Sequence, residues 1–169
     1  MNRLTTFATT TVALFCLAFP GSDAFAQGKS LKEQLVGTWT MVSNVNMRPD
    51  GSKYDPLGPN PRGVFMLDAN GHFAITLLGE LRKFASNNRL ESTPDENKSV
   101  VQGSIAYFGI YTVNEADHTI NFHIERCTFP NWDGTDQKRS VTITGDEMKY
   151  TNTAASGGGK AELVWKRAK

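Results

Sequence analysis

Cysteine is nearly absent from this chain: Cys16 and Cys127 are the only two, too few for the disulfide framework that holds many small exported domains together. Histidine is scarce too, and His72, His118 and His123 show no ligand spacing with one another, whereas a zinc site takes three or four ligands. An excess of one charge is missing: 18 Lys and Arg against 17 Asp and Glu leave a formal net charge of +1. With the signs interspersed there is no basic stripe, which argues against nucleic acid as a partner. No apolar run reaches the roughly 20 residues that span a bilayer. No nucleophile elbow or Ser/His/Asp pattern is present. Helical periodicity is never sustained long enough for a crossover helix, so a parallel α/β architecture is excluded.

What is there begins with an export signal. Arg3 stands near the terminus, a threonine-rich lead follows, then "VALFCLAF" and the small-x-small "AFA" before Gln27. Residues 1–26 are therefore read as a signal peptide cleaved after Ala26, with residues 27–169 as one mature domain in the periplasm or secreted. Phe15 precedes Cys16 where a lipoprotein signal would carry a small residue. Once Cys16 is removed, Cys127 has no intrachain partner and reads as a small buried hydrophobe rather than a nucleophile, despite Arg126 beside it. No integral membrane segment is expected in the mature chain.

From Thr38 onward the pattern has period two. The strands expected are 38–47, 63–68, 72–78, 103–113, 119–126, 139–144, 147–152 and 161–167. Between them lie "RPDGSK", "DANG", "NEADH", "TGDE" and "AASGGGK", rich in residues that supply tight turns or positive φ. The chain is thus all-β, an antiparallel barrel or sandwich of hairpins. Residues 79–102 depart from this, being polar and carrying Pro94. A short helix over Gly79 to Asn87 is the expectation there, in a connection long enough to be a lid over a barrel mouth or simply a solvated excursion. Before the first strand, Ser30 and Glu33 form a capping box. A helical turn should follow, with Leu31 and Leu35 laying one apolar edge against an open barrel end.

"LVGTW" at residues 35–39, following that turn, resembles the opening of a lipocalin. Adding "PLGPNPRGVFMLDANGHF" (56–73), "YFGIYTVN" (107–114), "FPNWDGTDQKR" (129–139) and "LVWKR" (163–167), the mature chain is similar to the small lipocalin-like domain family over nearly its whole length. The resemblance implies an up-and-down calycin barrel with an internal cavity. Gly37 would allow a close approach, Trp39 would plug the floor, and Lys166 or Arg167 would pack over the indole, a cation–π contact of about 0.5–2 kcal/mol. No reaction follows, because a fold does not assign one. The export signal and the long 79–102 segment depart from the family pattern.

Which residues line the cavity depends on strand phase. If Trp39 points inward, strict alternation puts Met41, Ser43 and Val45 inside and Thr40, Asn44 and Asn46 outside. Arg139 shares a face with Val141 and Ile143, and an inward arginine needs a partner. In "HTINFHIERC" either Ile120, Phe122 and Ile124 face inward, as hydrophobicity favours, or Asn121, His123 and Glu125 do, as the resemblance favours. The second arrangement would bring His123 and Glu125 to Arg139. Tyr107, Gly109 and Tyr111 share one face of their strand, opposite Ala106, Phe108 and Ile110.

Three functions of different kind follow. The leading one is binding of a small hydrophobic or aromatic molecule, with Met41, Arg62, Tyr111, Phe129 and Trp132 as contacts and no cofactor or metal. The alternative is a cofactor-independent isomerase, cyclase or lyase, in which His123, Glu125, Tyr107 and Arg139 move a proton on a bound carbonyl compound or polyphenol. A third reading, a protein-interaction module, predicts a barrel filled by its own side chains.

Overall fold

All eight expected runs form strands. The computed structural model describes residues 28–169, so the signal reading of 1–26, cleavage after Ala26 and Cys16 lie outside the described residues. In chain order the strands are β1 (Gly37–Met47), β2 (Lys53–Tyr54), β3 (Arg62–Leu67), β4 (His72–Leu78), β5 (Ser104–Asn114), β6 (Thr119–Cys127), β7 (Asp136–Thr144), β8 (Glu147–Asn152) and β9 (Lys160–Arg167). From β3 to β9 each strand pairs antiparallel with the next, and β1 joins β3 on one side and β9 on the other. The sheet thereby closes into an up-and-down barrel, and only the two-residue β2, paired to the end of β1, lies outside the circle. Closure removes the exposed sheet edges that invite aggregation. No helix among the described residues is long and apolar enough to cross a membrane.

One barrel end is plugged as the sequence predicts. Ser30 and Glu33 form the capping box of α1 (Leu31–Leu35), and Leu31 and Leu35 are buried. Glu115, in the turn after β5, accepts from the amides of Leu31 at 2.7 Å and Lys32 at 3.0 Å, tying the helix start to the barrel. Trp39 is fully buried and its Nε1 donates to Leu35 O at 2.9 Å. Of the two basic candidates, Arg167 takes the place over the indole, 4.1 Å from the ring centroid. Its guanidinium also donates to Val36 O at 3.1 Å and Gln34 O at 2.6 Å. Gly37 is at φ +134, and a Cβ there would stand 3.0 Å from that guanidinium, so the glycine makes room for the clasp.

Above the plug the barrel is filled by aromatic rings. Phe122 lies 4.6 Å from Phe73 and 5.9 Å from Phe65, and Phe65 lies 5.4 Å from Trp165, centroid to centroid. Edge-on and tilted contacts at these distances suit the ring quadrupoles.

Two β-bulges shift the strand phase, and both alter the sequence-based picture. In β1 the register to β9 slips between Met41 and Ser43, leaving Val42 as the extra residue, 53% exposed. Beyond it the inward set becomes Asn44 and Asn46, buried at 8% and 4% exposure. The assignment of those asparagines to the outer face fails for this reason. In β6 the register to β5 shifts between Phe108 and Gly109, where Arg126 and Ile124 are the successive partners and Glu125 is passed over. A Cβ on Gly109 would overlap the His123 carbonyl oxygen and lie 2.9 Å from the Glu125 nitrogen, so this bulge needs glycine opposite it.

The helix in the 79–102 segment is not where it was expected. Residues 79–87 form no helix; the helical elements are a 3-10 turn at Arg89–Glu91 and α2 (Pro94–Gly103). Thr93 and Glu96 form a second capping box with Pro94 in the first turn. Proline starts this helix because its fixed φ suits the first turn and its missing N–H is not needed there.

Candidate ligand-binding cavity

Between the aromatic layer and the open end lies a cavity of about 480 Å³, within the range typical of small-molecule sites. Leu57, Leu77, Ile105 and Leu163 supply apolar wall. At the mouth stand Phe129 and Trp132, their rings 5.9 Å apart and near perpendicular. The loop that carries them is held from below: Asp133 accepts from Cys127 N at 2.7 Å and pairs with Arg126 at 3.1 Å. Val100 and Val101, near the end of α2, complete one side of the rim. The long polar segment therefore borders the opening.

The polar lining includes Tyr107, Tyr150 and three asparagines, Asn44, Asn46 and Asn152, besides Gln102, Ser104, Thr128 and Ser156. Tyr107 stacks edge-on against Trp132 at 5.5 Å. Burial raises the Tyr107 phenol above its ordinary value, partly offset by the Arg139 charge. The Tyr150 phenol is pushed well above its ordinary value, again chiefly by burial. Both are neutral hydroxyls at physiological pH.

The catalytic set read from the sequence does not assemble. Arg139 faces inward and is 4% exposed, as its alternation with Val141 predicts. The hydrophobic face of β6 wins, however: Ile120, Phe122 and Ile124 are at most 1% exposed, so His123 and Glu125 point out of the barrel. His123 pairs with Asp136 at 3.0 Å, its side chain 44% exposed, and Glu125 is an exposed bulge residue. The reason is energetic: three large apolar side chains outweigh one polar trio in competition for the interior. Arg139 instead donates to Lys138 O at 2.9 Å and to Gln137 Oε1, and no ion pair among the described residues includes it. It faces the phenols' side of the interior without lining the cavity.

Of the expected ligand contacts, Phe129 and Trp132 line the cavity. Three others do not. Tyr111 is buried toward the plugged end, its hydroxyl donating to Asp68 O at 2.7 Å. Burial and the Asp68 charge raise its phenol. Met41 packs half-buried against the core before the bulge, and Arg62 is exposed at the start of β3. Gly37, Trp39 and Arg167 close the floor. Cys127 is half-buried, its thiol raised first by burial, the opposite of an activated nucleophile. The asparagines were missed. Asn152 was legible, standing two residues beyond Tyr150 on the same face of β8, whereas Asn44 and Asn46 were hidden by a bulge with no signal in "TMVSNVN".

A closed antiparallel meander, plugged by a helical turn beneath an Arg-clasped tryptophan and open at the other end onto a cavity, defines a calycin-type barrel. The chain belongs to the lipocalin-like domain family, whose model matches residues 36–168. Among solved structures it is similar to an Asn-to-Gln variant of the fluorescent protein UnaG, at 13% identity over 80% of this chain and 97% of that one, with a TM-score of 0.38. No curated protein matches the chain.

Proposed function

We propose that this protein binds a small hydrophobic molecule in the open half of its barrel, and that it does so outside the cytoplasm after residues 1–26 direct its export. The observation that carries the binding reading is the cavity itself. A family barrel need not be hollow, since side chains can fill one of eight strands. Here about 480 Å³ is left open between the aromatic layer and the mouth. That space disfavours the filled interaction module, and its largely apolar wall with a few polar groups is the composition of a ligand site. The export reading rests on Arg3, the "VALFCLAF" run and the small-x-small "AFA".

The acid–base alternative loses its proton carriers, because His123 and Glu125 lie outside and the phenols on the cavity wall, Tyr107 and Tyr150, are raised by burial. Neither phenol is poised to take a proton near neutral pH. Holding a ligand without changing it is what this wall supports.

Native mass spectrometry of the protein purified from its own host tests the proposal, with extraction of whatever copurifies. A stoichiometric hydrophobic small molecule is the expected result. Protein that neither copurifies with such a molecule nor takes one up on titration would overturn it. Edman sequencing of the same material should begin at Gln27, and an intact Met1 would refute export by cleavage.

A further inference from the structure

The inner wall carries two buried amide oxygens, those of Asn44 and Asn46, that the protein itself leaves without partners. Asn44 and Asn46 come from β1 beyond its bulge and Asn152 from the end of β8. The pairing register gathers them around one small side chain, because Ala161 of β9 pairs with Asn46 on one side and Asn152 on the other. One row deeper, Leu163 stands between Asn44 and Tyr150 in the same way. All six residues line the cavity. Asn44 and Asn46 are 8% and 4% exposed, yet the Oδ1 of each has no hydrogen-bond partner. Asn46 Nδ2 reaches only the Tyr54 hydroxyl at 3.3 Å, and Asn152 Oδ1 is engaged by Ala154 N at 2.9 Å. Leaving a buried amide oxygen unpaired costs free energy that leucine at either position would avoid.

A pure hydrocarbon would leave these amides as they are. An anion has no proton to give them, and the buried cation Arg139 is not on the cavity wall and already donates to Lys138 O and Gln137 Oε1. A neutral hydroxyl both donates and accepts, so it satisfies an asparagine whichever way the amide faces. Resting on the reading of the cavity as a ligand site, we infer that Asn44, Asn46, Asn152 and Tyr150 form a polar subsite for a hydroxyl group. The molecule bound is then an amphipathic alcohol, its apolar body against Leu57, Leu77 and Ile105 and its hydroxyl at the asparagines.

Displacement of the neutral fluorophore N-phenyl-1-naphthylamine by decanol, decyl methyl ether and decanoate at neutral pH tests this. Decanol should compete on the order of tenfold better than its ether, the fold-change one buried hydrogen bond produces, and better than the ionised acid. Asn44→Leu should shrink the alcohol-to-ether difference to about twofold or less while its Tm stays level or rises; Asn46→Leu is the parallel variant if Asn44→Leu fails to fold. Alcohol and ether competing equally in the parent would refute the hydroxyl subsite and leave ligand binding standing. Decanoate competing best would also refute it, assigning the polar end to the field of Arg139. A fluorophore that does not bind, with none of the three protecting the protein against heat, would overturn both the subsite and the binding reading beneath it.

Discussion

Arg139 shows how a single side chain can be placed correctly by its strand and still be assigned the wrong company. Alternation puts it inside, and it is inside, but its acceptors are a neighbouring carbonyl and Gln137 rather than a carboxylate. The consequence for mutation is a matter of sign and size. Removing one partner of a buried ion pair strands the other charge and costs about 3–5 kcal/mol. Here no charge is stranded, so Arg139→Met should change stability by no more than about 1 kcal/mol. Urea melts of parent and variant measure this, and a loss near 4 kcal/mol would mean that a buried acid does pair with Arg139.

At the scale of elements, the bulges carry most of the information that alternation lacks. Gly109 faces the β6 bulge so closely that a Cβ would overlap the His123 carbonyl. Gly109→Ala should therefore cost roughly 1–3 kcal/mol through forced backbone movement. A parent-like Tm would show that the bulge shifts freely. The second capping box has its own pH signature. Glu96 accepts from Thr93 N at 2.7 Å and Ala85 N at 2.8 Å, and these bonds hold its carboxyl below the ordinary value of 4.5. A folded-state value that is lowered means stabilisation fully present above 4.5 and lost as pH falls through the folded value. Protection factors at Ala85 and Thr93, taken against the intrinsic rate at each pH, should fall in that acid window while those of the barrel amides hold, and Glu96→Gln should show reduced protection already at neutral pH. Equal protection in Glu96→Gln at neutral pH would mean that the carboxylate does not hold the segment.

For the whole molecule, the decisive balance lies at the alkaline end. Three of the four tyrosines, Tyr107, Tyr111 and Tyr150, have phenols raised above 10 by burial. Groups raised on folding contribute stability that is complete below the unfolded value of 10 and declines as pH rises toward the folded values. Phenolate absorbance from these residues should appear together with loss of β-sheet circular dichroism above pH 10, in one cooperative transition. Ionisation of three tyrosines at the ordinary value with the sheet intact would show that the barrel interior is wet.

The sequence by itself determined the all-β class, the eight long strands and the capping box of α1, because each depends on short-range signals: period two, turn residues, and side chains a fixed few positions apart. Phe129 and Trp132 at the mouth were legible for the same reason, lying in one short loop. The clasp of Gly37 and Trp39 by a basic residue of the last strand was implied by the family resemblance, and the structure chose Arg167 over Lys166. Tertiary structure alone decided the inner wall. A one-residue bulge at Val42 leaves no mark in composition yet exchanges the inward and outward sets of half a strand, which is how Asn44 and Asn46 reached the cavity. On β6 the hydrophobicity of the single strand already favoured Ile120, Phe122 and Ile124 for the interior, and the closed barrel follows it against the resemblance, sending His123 and Glu125 to the surface. Strand phase is a cooperative property of paired neighbours, so the residues that matter most to a ligand are those a single strand's pattern specifies least.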